Sequence, residues 1–239
     1  MRWPRMRRRA VPGRLDGLVA LCIVVPFVAL GFQAVADTWH GRSVLPQRVG
    51  TRGLRTVIDD PILVDAVVGS LVVAVVVAVV AVALAWPAAR YLADSRSLAG
   101  WGLLAAPVLL PPLVLGNGLA PWLLEFGLGG RMAIAAAHLP LAIPYATIAL
   151  VPGFGTEVDE LDMSAAVLGA SPRHRLVQVV GPAARRQVAL ALALAFTVSW
   201  SQYATSLTVG GGTPMLPLVL VPYVRSDPQV AAALSLLFL

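Results

Sequence analysis

The chain lacks lysine altogether and has a single cysteine. All 18 of its basic residues are arginine. Without lysine, neither a phosphate-binding P-loop, which needs the lysine of its GK[ST] motif, nor a Schiff base can form. The lone Cys22 excludes a disulfide framework or a cysteine-based metal site within one copy. No ATP or other cofactor is therefore expected to bind to this chain itself, and any ATP that drives it must be bound by a partner.

Charge is also scarce. Charged residues make up 13% of the 239 residues, against about 25% in a typical soluble domain, while hydrophobic residues make up 58%. Too few polar side chains remain to cover a water-soluble globule of this size. The arginines lie between apolar stretches, which fits lipid headgroups and not a nucleic acid. The composition therefore predicts an integral membrane protein embedded in a lipid bilayer.

Long stretches without charge mark the predicted membrane crossings, since a spanning helix needs about 20 apolar residues. They are residues 17–36, 66–89, 97–124, 132–156, 187–224 and 228–239. The glycine-rich segment 210–214 should end the fifth crossing near residue 209. The last stretch would reach only about 18 Å as a helix. We therefore expect an all-α polytopic protein with five to six transmembrane helices, and a natural chain that continues beyond Leu239.

The arginines also predict the orientation. With the N-terminus in the cytoplasm, twelve arginines fall on inside segments and six on outside segments, as the positive-inside rule favours. Residues 37–60 are then external, and 153–186 are cytoplasmic. The arginine-rich start and Ala34-Val35-Ala36 also resemble a cleaved signal peptide. The apolar run of 20 residues exceeds the usual 7–15, which favours an uncleaved anchor. The expected location is the plasma or inner membrane of a bacterium.

Ionisable groups at membrane depth, which mark ion pathways, are nearly missing. Asp65 lies at the edge of the second crossing and His138 well inside the fourth. A lone histidine of this kind is more often hydrogen-bonded in the core than a proton relay. The chain has no HExxH or GxSxG motif, and its three histidines fall in different compartments, so neither catalysis nor a metal site is expected. An ion-coupled secondary transporter remains an alternative, and a membrane-embedded enzyme or assembly factor is a less favoured one.

The loop 153–186 has the signals of two short helices with a bend between them. Thr156 can cap the first helix, and Gly169 is the residue type that ends a helix in a left-handed conformation. Ser171 and Pro172 then suit the start of a second helix, which should end at Gly181-Pro182. The small residues Ser164, Ala165 and Ala166 are poor membrane anchors, so docking to a partner protein is favoured over lying on the headgroups.

This loop resembles the EAA loop of the permeases of binding-protein-dependent ATP-binding-cassette (ABC) importers. The family pattern is Glu-Ala-Ala, three residues, Gly, and a Leu-Pro pair about a dozen residues later. Its glycine aligns with Gly169, and its Leu-Pro pair with Gly181-Pro182. Its Glu falls on Met163, which removes any salt bridge that the Glu would make. Gly169, Ala165 and Pro182 match the family pattern. The residues that the resemblance implies for coupling to an ATPase are Met163, Ser164, Ala165, Ala166, Gly169, Pro172, Gly181 and Pro182.

The resemblance extends over roughly residues 60–239. It implies a core of the type I importer permease kind at 61–239. The arginines and apolar runs predict a basic cytoplasmic N-terminus at 1–16 and a first helix with an external loop at 17–60. The resemblance also implies partners: a cytoplasmic ATPase that docks on 153–186, a second permease copy or homologue, and an extracytoplasmic binding protein. Among importers, the iron, thiamine, polyamine and sulfate group is the most similar.

Polar residues in the predicted crossings are candidates for the substrate pathway. They are Asn117, Thr197, Ser201, Gln202 and Thr205. Asn and Gln are the costlier groups to bury, which favours a role in the pathway. Hydrogen bonding between helices is the alternative for the Ser and Thr residues. Gly116 and Gly118, on either side of Asn117, are expected to permit close helix packing.

Overall fold

The computed structural model describes residues 14–39, 43, 45–95 and 97–238. Over these residues the regular secondary structure is helical apart from one antiparallel pair of short strands, β1 (Ala36–Thr38) and β2 (Arg48–Val49). The all-α class is confirmed. The predictions made for residues 1–13, His40, Arg42 and Arg96 concern positions outside the described residues.

Thirteen α-helices are numbered here in chain order over the described residues. They are α1 (Arg14–Ala34), α2 (Arg52–Asp59), α3 (Pro61–Ser95), α4 (Leu98–Leu109), α5 (Pro112–Glu125), α6 (Gly130–Leu150), α7 (Thr156–Val167), α8 (Pro172–Arg175), α9 (Gly181–Ala183), α10 (Arg185–Trp200), α11 (Ala204–Val209), α12 (Leu216–Ser226) and α13 (Pro228–Leu236). A 3₁₀ turn at Val151–Gly153 follows α6, and a π-helical turn at Leu176–Val180 joins α8 to α9.

Contacts divide the chain into two compact units, the first made of Met1–Asp60 and Leu220–Leu239. In this unit α13 packs against both α1 and α2. Arg52 of α2 forms an ion pair at 2.6 Å with Asp227, whose carboxylate also caps α13. The hydrogen bond from Arg52 holds the pKa of Asp227 below its ordinary value. The pair therefore ties α2 to the start of α13.

The second unit, Pro61–Val219, contains a core of three mutually packed helices, α3, α6 and α10. The buried stripe of α3 is rich in alanine at spacings of three and four residues, as in Ala74, Ala78, Ala81, Ala85 and Ala89. Such small side chains let helix backbones approach closely where no hydrophobic effect drives helices together in lipid. The opposite face of α3 is valine-rich and exposed, which suits contact with lipid.

Three of the predicted crossings are single helices long and apolar enough to span a membrane. They run over Gly17–Ala34, Pro61–Ser95 and Gly130–Gly153. Two bent helix pairs raise the number of candidate spans to five over the described residues. The structure is thus consistent with a polytopic membrane protein.

The prediction of one continuous helix at 97–124 is wrong. The structure divides it into α4 and α5, which are bent by 94° relative to each other. Pro111 and Pro112 lie at the bend. A residue before proline is pushed out of the helical region, and Leu110 accordingly has an extended ψ of 138°.

The predicted crossing at 187–209 is also interrupted. α10 ends at Trp200, and α11 begins only at Ala204. The glycine-rich end of this crossing is confirmed, since Gly211 and Gly212 have φ values of +56° and +85° directly after α11. The two units divide at Asp60/Pro61, and Leu220–Leu239 group with the N-terminal unit. The domain bounds 1–16, 17–60 and 61–239 stay a prediction.

Candidate functional site

The bend in the loop 153–186 is built on Gly169. α7 ends at Val167, and Gly169 follows with φ +82°. The amide of Gly169 donates to the carbonyl of Ala166, and that of Ala170 donates to the carbonyl of Ala165, both at 3.0 Å. These two bonds form a Schellman motif, which satisfies carbonyls that a helix end leaves without partners. The helix stop predicted at Gly169 is therefore present.

The second half of the loop starts as predicted but ends later. The Ser171 hydroxyl accepts from the amide of His174, and Pro172 is the first helical residue. Pro182 lacks the amide that would continue an α-helix. The chain widens into the π-helical turn instead, and the Gly181 amide donates to Leu176. A Cβ at residue 181 would lie 2.9 Å from that carbonyl oxygen, which explains a glycine here. The helical path continues past Gly181-Pro182 and turns by 80° at Ala184.

Asp162 connects this loop to the core of the second unit. Its side chain is only 6% exposed, although it lies on the surface helix α7. Arg90, near the end of α3, donates to Oδ2 at 2.7 Å. Arg175 of α8 donates through Nε to Oδ1 at 2.7 Å and through Nη2 to Oδ2 at 3.1 Å. The carboxylate therefore joins three helices.

Charge-assisted hydrogen bonds of this kind favour the ionised carboxylate. The bonds from Arg90 and Arg175 hold the pKa of Asp162 below its ordinary value. Two guanidinium groups around one carboxylate leave the cluster with a net positive charge.

Large apolar side chains are exposed at the C-terminal end of α7 and directly after it. Met163, Val167 and Leu168 are 69%, 88% and 86% exposed, respectively. Ser164 is exposed, and its hydroxyl donates to the carbonyl of Glu160 on the same helix. Large exposed apolar side chains on a polar loop are typical of a protein contact. Met163, which stands where the family has Glu, belongs to this surface and not to the ion cluster.

The pathway candidates on the interrupted crossing fall into two groups. Thr197 and Ser201 are exposed, and their hydroxyls donate to carbonyls of their own helix turn, those of Ala193 and Thr197. Thr205 is fully buried, and its hydroxyl donates to Oε1 of Gln202 at 3.3 Å. The structure thus brings Gln202 and Thr205 together and leaves Thr197 and Ser201 on the exposed surface.

Asn117 lies on α5, which packs against α11. A Cβ at the neighbouring Gly116 would collide with the Thr208 hydroxyl, so this glycine permits the close approach. Gly118 has no atom within 4 Å of such a Cβ, so the packing role expected for it is not found. Asn117 itself is exposed.

His138 is fully buried and hydrogen-bonded at both ring nitrogens, to Ser199 at 2.9 Å and to Ser206 at 3.1 Å. This agrees with the expectation of a hydrogen-bonded core histidine. Within the described part of the chain, no group of three His, Cys, Asp or Glu side chains could hold a metal ion.

A second ion pair lies at the start of α3. Arg131, at the beginning of α6, bonds Oδ2 of Asp65 at 2.6 Å and its carbonyl at 3.0 Å. A Cβ at Gly69 would collide with the Arg131 guanidinium, so a glycine lets this side chain lie across α3. Sequence reasoning placed Asp65 at the edge of the crossing but gave it no partner.

Sequence reasoning missed the Asp162 cluster for a similar reason. Asp162 is one of four acidic residues in a short run, and its helix position alone does not set it apart. What sets Asp162 apart from the other acidic residues is its contact with Arg175 and with the distant Arg90. Arginine at the end of a predicted crossing indicates topology, and it can also indicate a buried acidic partner.

No protein-family model matches this chain. Two curated relatives do, both named "Molybdenum transport system permease protein ModB", one from Mycobacterium bovis and one from Mycobacterium tuberculosis. Each is 31% identical over 152 residues, which cover 56% of this chain and 58% of the relative. The resemblance to ABC importer permeases is confirmed.

The chain thus spans less than two thirds of the length of these ModB relatives. Their names describe a transport permease, which agrees with the expectation of a transport subunit and not an enzyme. Together with the apolar helices, the similarity supports a membrane-embedded permease.

Proposed function

We propose that this chain is the transmembrane permease subunit of an ATP-driven importer, and that the loop 153–186 couples it to a separate ATPase. The observation that carries the proposal is the double character of α7. Its outer face presents Met163, Val167 and Leu168 to a partner, while its inner face is held to α3 through Asp162. A displacement of α7 would therefore be transmitted directly to the membrane helix α3.

The remaining parts of the proposal follow from the resemblance. A cytoplasmic ATPase would bind the ATP, since this chain has no lysine for a P-loop. A second permease copy or homologue, an extracytoplasmic binding protein and the lipid bilayer complete the assembly. The arginine asymmetry supports a cytoplasmic N-terminus. The mycobacterial relatives support the plasma or inner membrane of a bacterium.

We propose an oxyanion of molybdenum as the substrate, because both ModB relatives are named for molybdenum transport. The pathway candidates Asn117, Thr197, Ser201, Gln202 and Thr205 are all neutral groups. The side-chain amides of Asn117 and Gln202 can donate hydrogen bonds to an anion, whereas the three hydroxyls already donate within the protein. None of the five side chains carries the negative charge that would favour a polyamine or iron cation.

Replacement of Asp162 tests the coupling. In liposomes with the ATPase and binding protein, Asp162→Asn should still bind the ATPase, because the outer face of α7 is unchanged. Molybdate uptake per ATP hydrolysed should fall about fivefold or more, since coupling energies between sites are typically of that size. The neutral amide cannot hold two guanidinium groups as the carboxylate does.

Asp94→Asn is the matched control, because it makes the same chemical change at an exposed carboxylate of α3, outside the docking face of α7. It should leave uptake and hydrolysis unchanged. Wild-type coupling in Asp162→Asn, or an equal loss in both variants, would contradict the proposal. Uptake that persists without ATP and collapses with an ion gradient would instead favour a secondary transporter.

A further inference from the structure

The interruption between α10 and α11 needs an explanation, because it lies in a predicted crossing and contains neither proline nor glycine. Its residues are Ser201, Gln202 and Tyr203. Non-helical backbone at membrane depth is tolerated only where it is buried in protein or lines a water-filled cavity, since free amides and carbonyls are costly in hydrocarbon. Something in the structure must compensate for the missing helical bonds.

A chain of side-chain hydrogen bonds crosses this interruption. Ser199, in the last turn of α10, lies 2.9 Å from Nδ1 of His138, and Ser206 of α11 lies 3.1 Å from Nε2. The Ser206 hydroxyl also donates to the carbonyl oxygen of Gln202 at 2.7 Å. The three bonded side chains are 4% exposed or less. Both helix ends are therefore tied to α6 through one imidazole ring.

The direction of each bond follows from counting protons. A serine hydroxyl has one proton to donate, and Ser206 gives it to the Gln202 carbonyl. Ser206 can then only accept from His138, so the ring proton is on Nε2. Nδ1 is left as an acceptor, and the Ser199 hydroxyl donates to it. The chain runs from Ser199 through His138 and Ser206 to the carbonyl of Gln202, with no charge and every proton used.

We propose that His138, in its Nε2–H tautomer, is a positioning residue that holds the interruption at Ser201–Tyr203 in place. By fixing both flanking turns to α6, it keeps Ser201 and Tyr203 exposed and holds the Ser206 hydroxyl where it donates to the Gln202 carbonyl. That these residues form a wall of the substrate pathway rests on the proposed function. The tautomer of His138 and its role in holding the interruption in place do not depend on the proposed function.

The tautomer can be read directly by nuclear magnetic resonance. The wild-type chain with ¹⁵N-labelled histidine, in lipid nanodiscs without partners, contains three histidines. The His138 signal is identified by its loss in His138→Phe, or in His138→Asn should that variant not fold. We expect a protonated Nε2 and an unprotonated Nδ1. A protonated Nδ1 would overturn the proposal.

Thiol labelling tests the positioning. A cysteine placed at Tyr203 in a Cys22→Ala background should react with a water-soluble reagent. His138→Phe keeps an aromatic ring at this position but removes both nitrogens, and it should change the labelling rate about fivefold, as expected for loss of a net hydrogen bond. His138→Gln, which can still donate to Ser206, should restore much of the original rate.

Thr147→Val is the matched control. Thr147 is a fully buried hydroxyl on the same helix, α6, but it bonds only the Ile143 carbonyl of that helix. It should leave the rate at residue 203 unchanged. An unchanged rate in His138→Phe, or the same change in Thr147→Val, would show that the ring acts by packing alone and would overturn the proposal. Both measurements, the histidine NMR signals and the labelling rate, use the chain without partners. Their outcome is therefore independent of whether the chain transports a substrate.

Discussion

Gly169 illustrates how one residue sets the geometry of the loop. Its φ of +82° is costly for any side chain with a Cβ, although no neighbouring atom lies within 4 Å of the space that a Cβ would take. Gly169→Val should therefore cost about 1–2 kcal/mol locally through backbone strain and not through a clash. We expect normal amounts of protein in the membrane but weak ATPase binding and little transport.

Gly155→Val provides the comparison for that variant. Gly155 lies in the same loop with equally open surroundings, but its φ is −87°, which any residue adopts. ATPase copurification and uptake should be near wild type. Normal coupling in Gly169→Val would mean that this loop is not the coupling element.

Asp162 gives the same loop a defined pH dependence. Its pKa is lowered in the folded state, so the stability that it contributes is present above the ordinary carboxylate pKa of about 4 and is lost as pH falls through the lowered value. The protection factors of the α7 amides against hydrogen exchange should be constant between about pH 5 and 8. They should fall only in stronger acid. Loosening of α7 already near pH 6 would contradict the ion cluster.

At the scale of whole elements, the predictable features are those with a local cause. The apolar runs of α3 and α6 and the glycine stop of α7 depend on neighbouring residues and were found from the sequence. The bend between α4 and α5 also has a local cause, the Pro111-Pro112 pair. The prediction of one straight crossing relied on the length of the uncharged run and did not take this pair into account. Run length alone measures how far a chain could reach, and not whether it is straight.

Other features have no local cause. The interruption at Ser201–Tyr203 depends on His138, about 60 residues earlier in the chain, and the burial of Asp162 depends on Arg90. In both places a residue distant in sequence determines the local structure. The sequence around a serine or aspartate does not show whether its side chain faces lipid, water or a buried partner. The pathway candidates were therefore a mixed set, of which Thr205 is buried against Gln202.

For the molecule as a whole, the orientation in the membrane is the property that most needs a measurement. The arginine asymmetry predicts that residues 37–60 are external and 153–186 cytoplasmic. In a Cys22→Ala background, an impermeant thiol reagent applied to intact cells should label Arg48→Cys and not Arg173→Cys. Both positions are exposed, so access to the reagent depends on the side of the membrane. The reverse pattern would exclude this topology.

α3 is about 52 Å long, well beyond the roughly 30 Å of a hydrocarbon core. Asp65 and Arg90 lie some 38 Å apart along it, and each pairs with a different helix. Each added residue rotates an α-helix by about 100°. A single residue inserted between them would thus turn Arg90 away from Asp162 while Asp65 still faces Arg131, even with every side chain chemically intact. The number of residues in this helix is as much a part of the mechanism as their identity.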